Sequence, residues 1–414
     1  MVADKGKVIF QASFGNAGPV GYPSLTRDYR FHIGSIAKEM NAVAIMKLAE
    51  QGKLKVTDKI SNYLPGLPRW SDSVSILNLL QYTSGVPNVK WKTVSNDGDN
   101  WSDLVHTAKL DFRPGSKYDY NNNNVYLQRR IIASVSGKDF NRYVVEELLN
   151  PAGVTDAVMD PTEKDRMMAR AFDNKGSIDP LAVPISGWTA FTIEGFYKWT
   201  MAIRNFKLIS PASTSVILTG YKPGNQSGLG GGMLAGDTIV SHVHDGTARN
   251  YQALLADYPA KGRTILLMTN NQQNNLYAFE KSVNNFLDGQ GLVPVRKSLR
   301  KDLDSRLDSM DCADFMVVYK ELKRTAAEEY AFESETTLNE IGYGFLGQNR
   351  VDDAICVFEF NTTLFPRSGN VFDSLGEAWY KKANKPKALL NYKRAVELDP
   401  GNETAQRIVR ELSK

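Results

Sequence analysis

The apolar run in "KVIFQASFG" (7–15) predicts a strand, and the longer pattern of "SIAKEMNAVAIMKLAEQG" (35–52) predicts a helix that Gly52 is placed to end. Residues 60–210 carry mostly helix and turn signals. Three strand-like runs then follow closely: "DTIVSHVHDG", "YQALLADYP" and "RTILLMTN". The turn Pro259–Gly262 joins the last two as a hairpin, so an antiparallel meander is expected. A strand, a helix, a helical middle and consecutive strands define an α+β domain over 1–290 rather than a doubly wound α/β one. Between 291 and 330, 16 of 40 residues are charged, eight of each sign. Leu299, Leu303, Leu307 and Met310 recur there on one face of an amphipathic helix, which predicts a helical connector.

The last part of the chain, 331–414, repeats. Gly342 and Gly376, Phe345 and Trp379, Ala354 and Ala388, Phe358 and Tyr392, and Pro366 and Pro400 are each 34 residues apart. A 34-residue unit carrying a small residue, aromatics, an alanine and a closing proline resembles the tetratricopeptide repeat. Two such units form an all-α tail. Small residues sit where helices approach closely, and each proline stops a helix.

Composition narrows the function classes. The chain has 414 residues, 42% of them hydrophobic and 23% charged, ordinary values for a folded protein. Fifty Lys and Arg against 46 Asp and Glu leave a net charge of +4, too small and too scattered for a nucleic-acid binder. No apolar run approaches the roughly 18 residues of a membrane span. Two cysteines, Cys312 and Cys356, are too few for a disulfide framework or a zinc cluster; they suit a reducing compartment and permit an oxidising one. "MVADKGKVIF" has no signal-peptide core, so the chain as written reads as cytoplasmic, or as periplasmic or secreted if its N-terminus is truncated.

Candidate chemistry begins at Ser35-x-x-Lys38. Three residues apart on a helix, the two side chains share a face, and Gly34 permits a tight approach to the serine. Free backbone N–H groups at a helix start favour a developing oxyanion. A lysine acts as base only when neutral, a state that burial favours. The motif alone is weak: Ser298-x-x-Lys301 has the same spacing and reads as connector surface. Tyr120 and Asn122 stand in "PGSKYDYNNNNVYLQ" ahead of an apolar helix, where the plain reading of Asn122 is a helix N-cap. "SHVHDGTARNY" puts His244, Asp245 and Gly246 at the end of a strand. His242 and His244 are taken to lie on alternating faces, with one of them pointing into a cleft. Gly246 admits a close ligand, and the N–H of Thr247 can form half of an oxyanion hole.

The order S-x-x-K, Y-x-N and a basic residue-x-Gly on a late strand resembles the serine β-lactamase and penicillin-binding-protein family. It is most similar to the class C-like branch of carboxylesterases and D-stereospecific peptidases. "KLAEQGKLKVTDKISNYLP", "LLQYTSGVP" and "FTIEGFYKWTMAI" resemble further stretches of that family, over about residues 5–285. The resemblance implies Ser35 as nucleophile, Lys38 as base and Tyr120 as second acid/base. It implies Asn122 as a substrate hydrogen-bonder, His244 and Gly246 in the third motif, and the N–H groups of Ser35 and Thr247 as oxyanion hole. No metal or organic cofactor is implied. Expected partners are a small ester, amide or peptide substrate and a protein bound by the repeats. Departures from the pattern are His244 for lysine, Asp245 at the centre of the third motif, Asn121 for serine, and Arg249-Asn250 where glycine precedes an aromatic. The expected activity is that of an esterase-like serine hydrolase. A β-lactamase or D,D-peptidase is the alternative within the fold, and a catalytically inactive binding protein the alternative outside it.

Overall fold

The computed structural model describes residues 1–272 and 275–413, with the backbone alone at 304 and 305. It divides into two compact units, Met1–Gln272 and Gln273–Lys414. In the first, nine strands form two antiparallel sheets. They are β1 (Val2–Asp4), β2 (Lys7–Phe10), β3 (Phe31–His32), β4 (Val158–Met159), β5 (Thr189–Phe191), β6 (Gly231–Ala235), β7 (Thr238–Ala248), β8 (Tyr251–Tyr258) and β9 (Arg263–Thr269). The larger sheet runs β2-β1-β9-β8-β7-β6 and the smaller one β3-β5-β4. The predicted meander is β7-β8-β9, and Gly262 (φ +58°) closes its last turn in the left-handed region. β1, β6 and the short sheet are further strands; runs of two to five residues leave too little period to read.

Helix α1 (Lys38–Glu50) is buried on nearly every side, from Lys38 to Met46 and at Leu48. That explains the unbroken apolar run 42–46, because a helix in the centre of a domain has no face to give to water. Burying Met40, Val43, Ile45, Met46 and Leu48 stabilises the unit by roughly 1.5–3 kcal/mol each. Gly52 takes φ +70° just after the helix, as the sequence suggests. α2 (Asn122–Ser136) and α3 (Ile193–Arg204) pack into the same core through Leu127, Ile131, Phe196 and Trp199.

In the second unit the expected single connector helix is broken. Leu299–Asp302 and Asp304–Leu307 are two short helices, followed by a longer one, Cys312–Thr325. Leu299, Leu303 and Leu307 are nevertheless buried together, as their spacing implies. Helices Glu335–Gly347 and Val351–Leu364 recur as Gly369–Lys381 and Lys385–Leu398 at the same 34-residue offset as the sequence pairs. Gly342 lies against the ring of Phe358, and Gly376 against Tyr392. Cys312 and Cys356 are joined in a disulfide that ties helix Cys312–Thr325 to helix Val351–Leu364. Ser298 of the second S-x-x-K motif caps a short helix by accepting Lys301 N–H, and its hydroxyl donates to Glu340.

Candidate active site

Ser35 lies in a 3-10 turn, Gly34–Ala37, that feeds α1. Gly34 has φ +54°, and a side chain there would strike the backbone of Gly246 and Thr247. From β7, a side chain on Gly246 would strike the Ile33 carbonyl and come within 2.9 Å of Ser35 N. Two glycines therefore let the nucleophile turn and β7 touch backbone to backbone, which brings Ser35 N and Thr247 N into one small region.

Lys38 opens α1. Its side chain is buried, and Nζ donates to Ser35 Oγ at 2.8 Å. Nζ also lies 5.1 Å from the ring centre of Tyr120 and 5.3 Å from that of Trp188. The Tyr120 ring packs on Tyr82 at 4.5 Å, and its buried hydroxyl has no hydrogen-bond partner among the described residues.

The sequence reading of Asn122 as a cap is off by one. Asn121 is the N-cap of α2, accepting Asn124 N–H at 3.2 Å while its own amide donates to Val86 O. Asn122 is instead the first helical residue and borders a recess with Lys38 and Trp188. It also borders a cavity of about 400 Å³ whose walls include His32, Trp91, Leu181, Trp188 and Thr247. His32 is neutral there: burial lowers its pKa to about 4, and its Nε2 faces Leu181 O at 3.2 Å.

His242 and His244 do not alternate. Residues two apart on a strand share a face, so both histidines and Gly246 are buried on one side of β7, with Asp245 and Thr247 on the other. Neither histidine borders the cavity; both reach Glu39, the residue after Lys38. His244 is thus not the cleft-facing group expected of it, while Ser35, Lys38, Tyr120, Asn122, Gly246 and Thr247 do gather around the nucleophile turn and the cavity. Glu39 had no part in the sequence reading, though an acid inside the run "KEMNAVAI" was a signal that it is buried with partners. Arg249 has φ +52°, the region glycine takes without cost. Its guanidinium donates to the Pro180 and Ala182 carbonyls at the cavity edge.

The fold is that of the β-lactamase and penicillin-binding-protein type of serine hydrolase. The Beta-lactamase family profile matches residues 1–288, and the chain belongs to that family. It is 29% identical over 285 residues to the "Putative penicillin-binding protein PbpX" of Bacillus subtilis (strain 168), covering 66% of this chain and 70% of that one. Among solved structures it is similar to a penicillin binding protein from Bacillus halodurans. That match has a TM-score of 0.61 and 24% identity, over 69% of this chain and 94% of the other. A class C β-lactamase shares the fold with a TM-score of 0.56 at 20% identity, over 66% and 85% of the two chains. Members of the family are serine hydrolases.

Proposed function

We propose that this chain hydrolyses small, neutral esters or amides through an acyl-enzyme on Ser35. The observation that carries the reading is the 2.8 Å contact between Lys38 Nζ and Ser35 Oγ beside the point where β7 meets the nucleophile turn. A neutral amine at that distance takes the hydroxyl proton as Oγ bonds to the carbonyl carbon. The carbonyl oxygen becomes an oxyanion, held by the N–H groups of Ser35 and Thr247. Tyr120 passes a proton to the leaving alkoxide or amine, and water then repeats the attack on the acyl carbon and frees Ser35. Asn122 orients the acyl group, and the largely apolar cavity takes its uncharged part. The 34-residue helix pairs act as a tetratricopeptide-type surface for a protein partner. A Ser–Lys pair in hydrogen-bond contact argues against an inactive binding protein.

A second reading has its own observation. Arg249 places a cation at the cavity edge and has no ion-pair partner among the described residues, which suits the carboxylate of a β-lactam or a D-amino-acid peptide. Intact-protein mass spectrometry after a fluorophosphonate and, separately, after a penicillin tests both. Ser35→Ala should abolish labelling and p-nitrophenyl ester turnover while the circular dichroism spectrum stays the same. Retained turnover would sink the mechanism. Nitrocefin hydrolysis rivalling the best ester would replace the first reading with the second.

A further inference from the structure

Glu39 is fully buried, and each of its carboxylate oxygens is occupied. Oε1 accepts His242 Nε2–H at 2.9 Å and His244 Nδ1–H at 2.7 Å, and Oε2 accepts Trp199 Nε1–H at 2.7 Å. Because a carboxylate only accepts, the proton on His244 is placed at Nδ1. The three donors come from two elements: the histidines from β7, and Trp199 from α3. One charge, adjacent in sequence to Lys38, therefore ties the start of α1 to the strand that carries Gly246 and Thr247. Burial alone would raise the Glu39 pKa, but the charge and hydrogen bonds of His242 and His244 hold it well below the usual carboxylate range. For His242 burial opposes the imidazolium, and the charge and hydrogen bond of Glu39, with the Asp257 charge and the Leu229 backbone, together more than offset this.

From this geometry we infer that Glu39 is a positioning residue for the reaction: its ionised carboxylate sets β7 against the nucleophile turn and so keeps the N–H groups of Ser35 and Thr247 aimed at one oxygen. The glycine contacts between Gly34, Gly246 and their neighbours allow the two backbones to touch, but nothing in a glycine holds them there. The carboxylate–imidazole bonds supply that hold, two and four residues before Gly246 and four after Ser35. The same three residues also have the donor set of a metal site, with ligand atoms within 4.8 Å of one another. The 2.7–2.9 Å separations are those of direct hydrogen bonds, and the Trp199 N–H on the second oxygen completes them.

The inference rests on the serine-hydrolase reading, and the experiment separates the two. In the full chain, with only four histidines to assign, ¹⁵N-histidine spectra should show His244 as the Nδ1–H form with a downfield, carboxylate-bound proton. Glu39→Gln should lose that signal and slow fluorophosphonate labelling of Ser35 at least 30-fold. For ester turnover the loss should fall on kcat, with KM changed less than threefold. Trp199→Phe, which keeps the carboxylate and both histidines, should label within about threefold of the wild type. If the wild-type chain is not labelled at all, the hydrolase reading fails first. If it is labelled and Glu39→Gln keeps pace within threefold, the positioning role is overturned. Should Glu39→Gln not fold, the wild-type spectrum decides alone: His244 protonated at Nε2 overturns the inference. Stoichiometric bound metal with no Nδ1–H signal does the same, in favour of a metal centre.

Discussion

Gly246→Ala is the sharpest test of how the site is assembled. The methyl group it adds would overlap the Ile33 carbonyl and sit 2.9 Å from Ser35 N, both of them backbone atoms that cannot rotate away. The strand and the nucleophile turn must therefore separate by several tenths of an ångström or more. Forced repacking of this kind destabilises by about 1–3 kcal/mol. The catalytic loss should be larger. Displacing one oxyanion donor reduces kcat by about 10²–10³, or roughly 2.7–4 kcal/mol, with a smaller change in KM because the ground-state carbonyl needs that donor less. The assay is steady-state hydrolysis of a short p-nitrophenyl ester, run beside thermal unfolding. Gly231→Ala is the control, since its added methyl meets nothing closer than Val243 O at 3.4 Å. A folded Gly246→Ala with kcat within threefold of the wild type would show that contact between turn and strand does not build the oxyanion site.

Lys38→Arg, whose guanidinium cannot serve as a base, should be as inactive toward the ester as Lys38→Ala; an active Arg variant would remove Lys38 from that role. Breaking the Cys312–Cys356 bond, which closes a separation of 44 residues, should destabilise the second unit by up to about 4 kcal/mol on loop entropy. Calorimetry of Cys312→Ser/Cys356→Ser should show this while turnover per folded molecule is unchanged, and equal thermograms would refute it. His32 has a folded pKa of about 4 against 6.5 unfolded, so the fold favours its neutral form. Its contribution is full above pH 6.5 and is lost as pH falls from there to about 4, by up to about 3 kcal/mol. Urea midpoints should thus fall less between pH 7 and pH 5 for His32→Phe than for the wild type; identical slopes would show that His32 does not carry this term.

What the sequence determines about this protein is local and periodic. The S-x-x-K spacing puts Lys38 beside Ser35 whatever surrounds them, because a turn of helix has a set pitch. The 34-residue offset of small and aromatic residues recurs as a 34-residue offset of helix ends. The close-set strand runs give the meander, and Gly52 and Gly262 mark turns because glycine takes a positive φ without steric cost. A period of two also settles that His242 and His244 share a face, against the alternation first assigned to them. Which way that face turns is another matter. Only the packing of β7 on α1 decides that both histidines meet Glu39 in the interior rather than a ligand in the cleft. The cap of α2 falls on Asn121 rather than Asn122 because Val86 and Asp119 hold the Asn121 amide, partners no local pattern names. The connector breaks where its leucines reach a core made by helices further along the chain. The two cysteines pair because the fold brings residues 44 apart within 6.2 Å at Cα. Each of these outcomes depends on groups distant in the chain competing for the same buried space, and a sequence read one window at a time contains no measure of that competition.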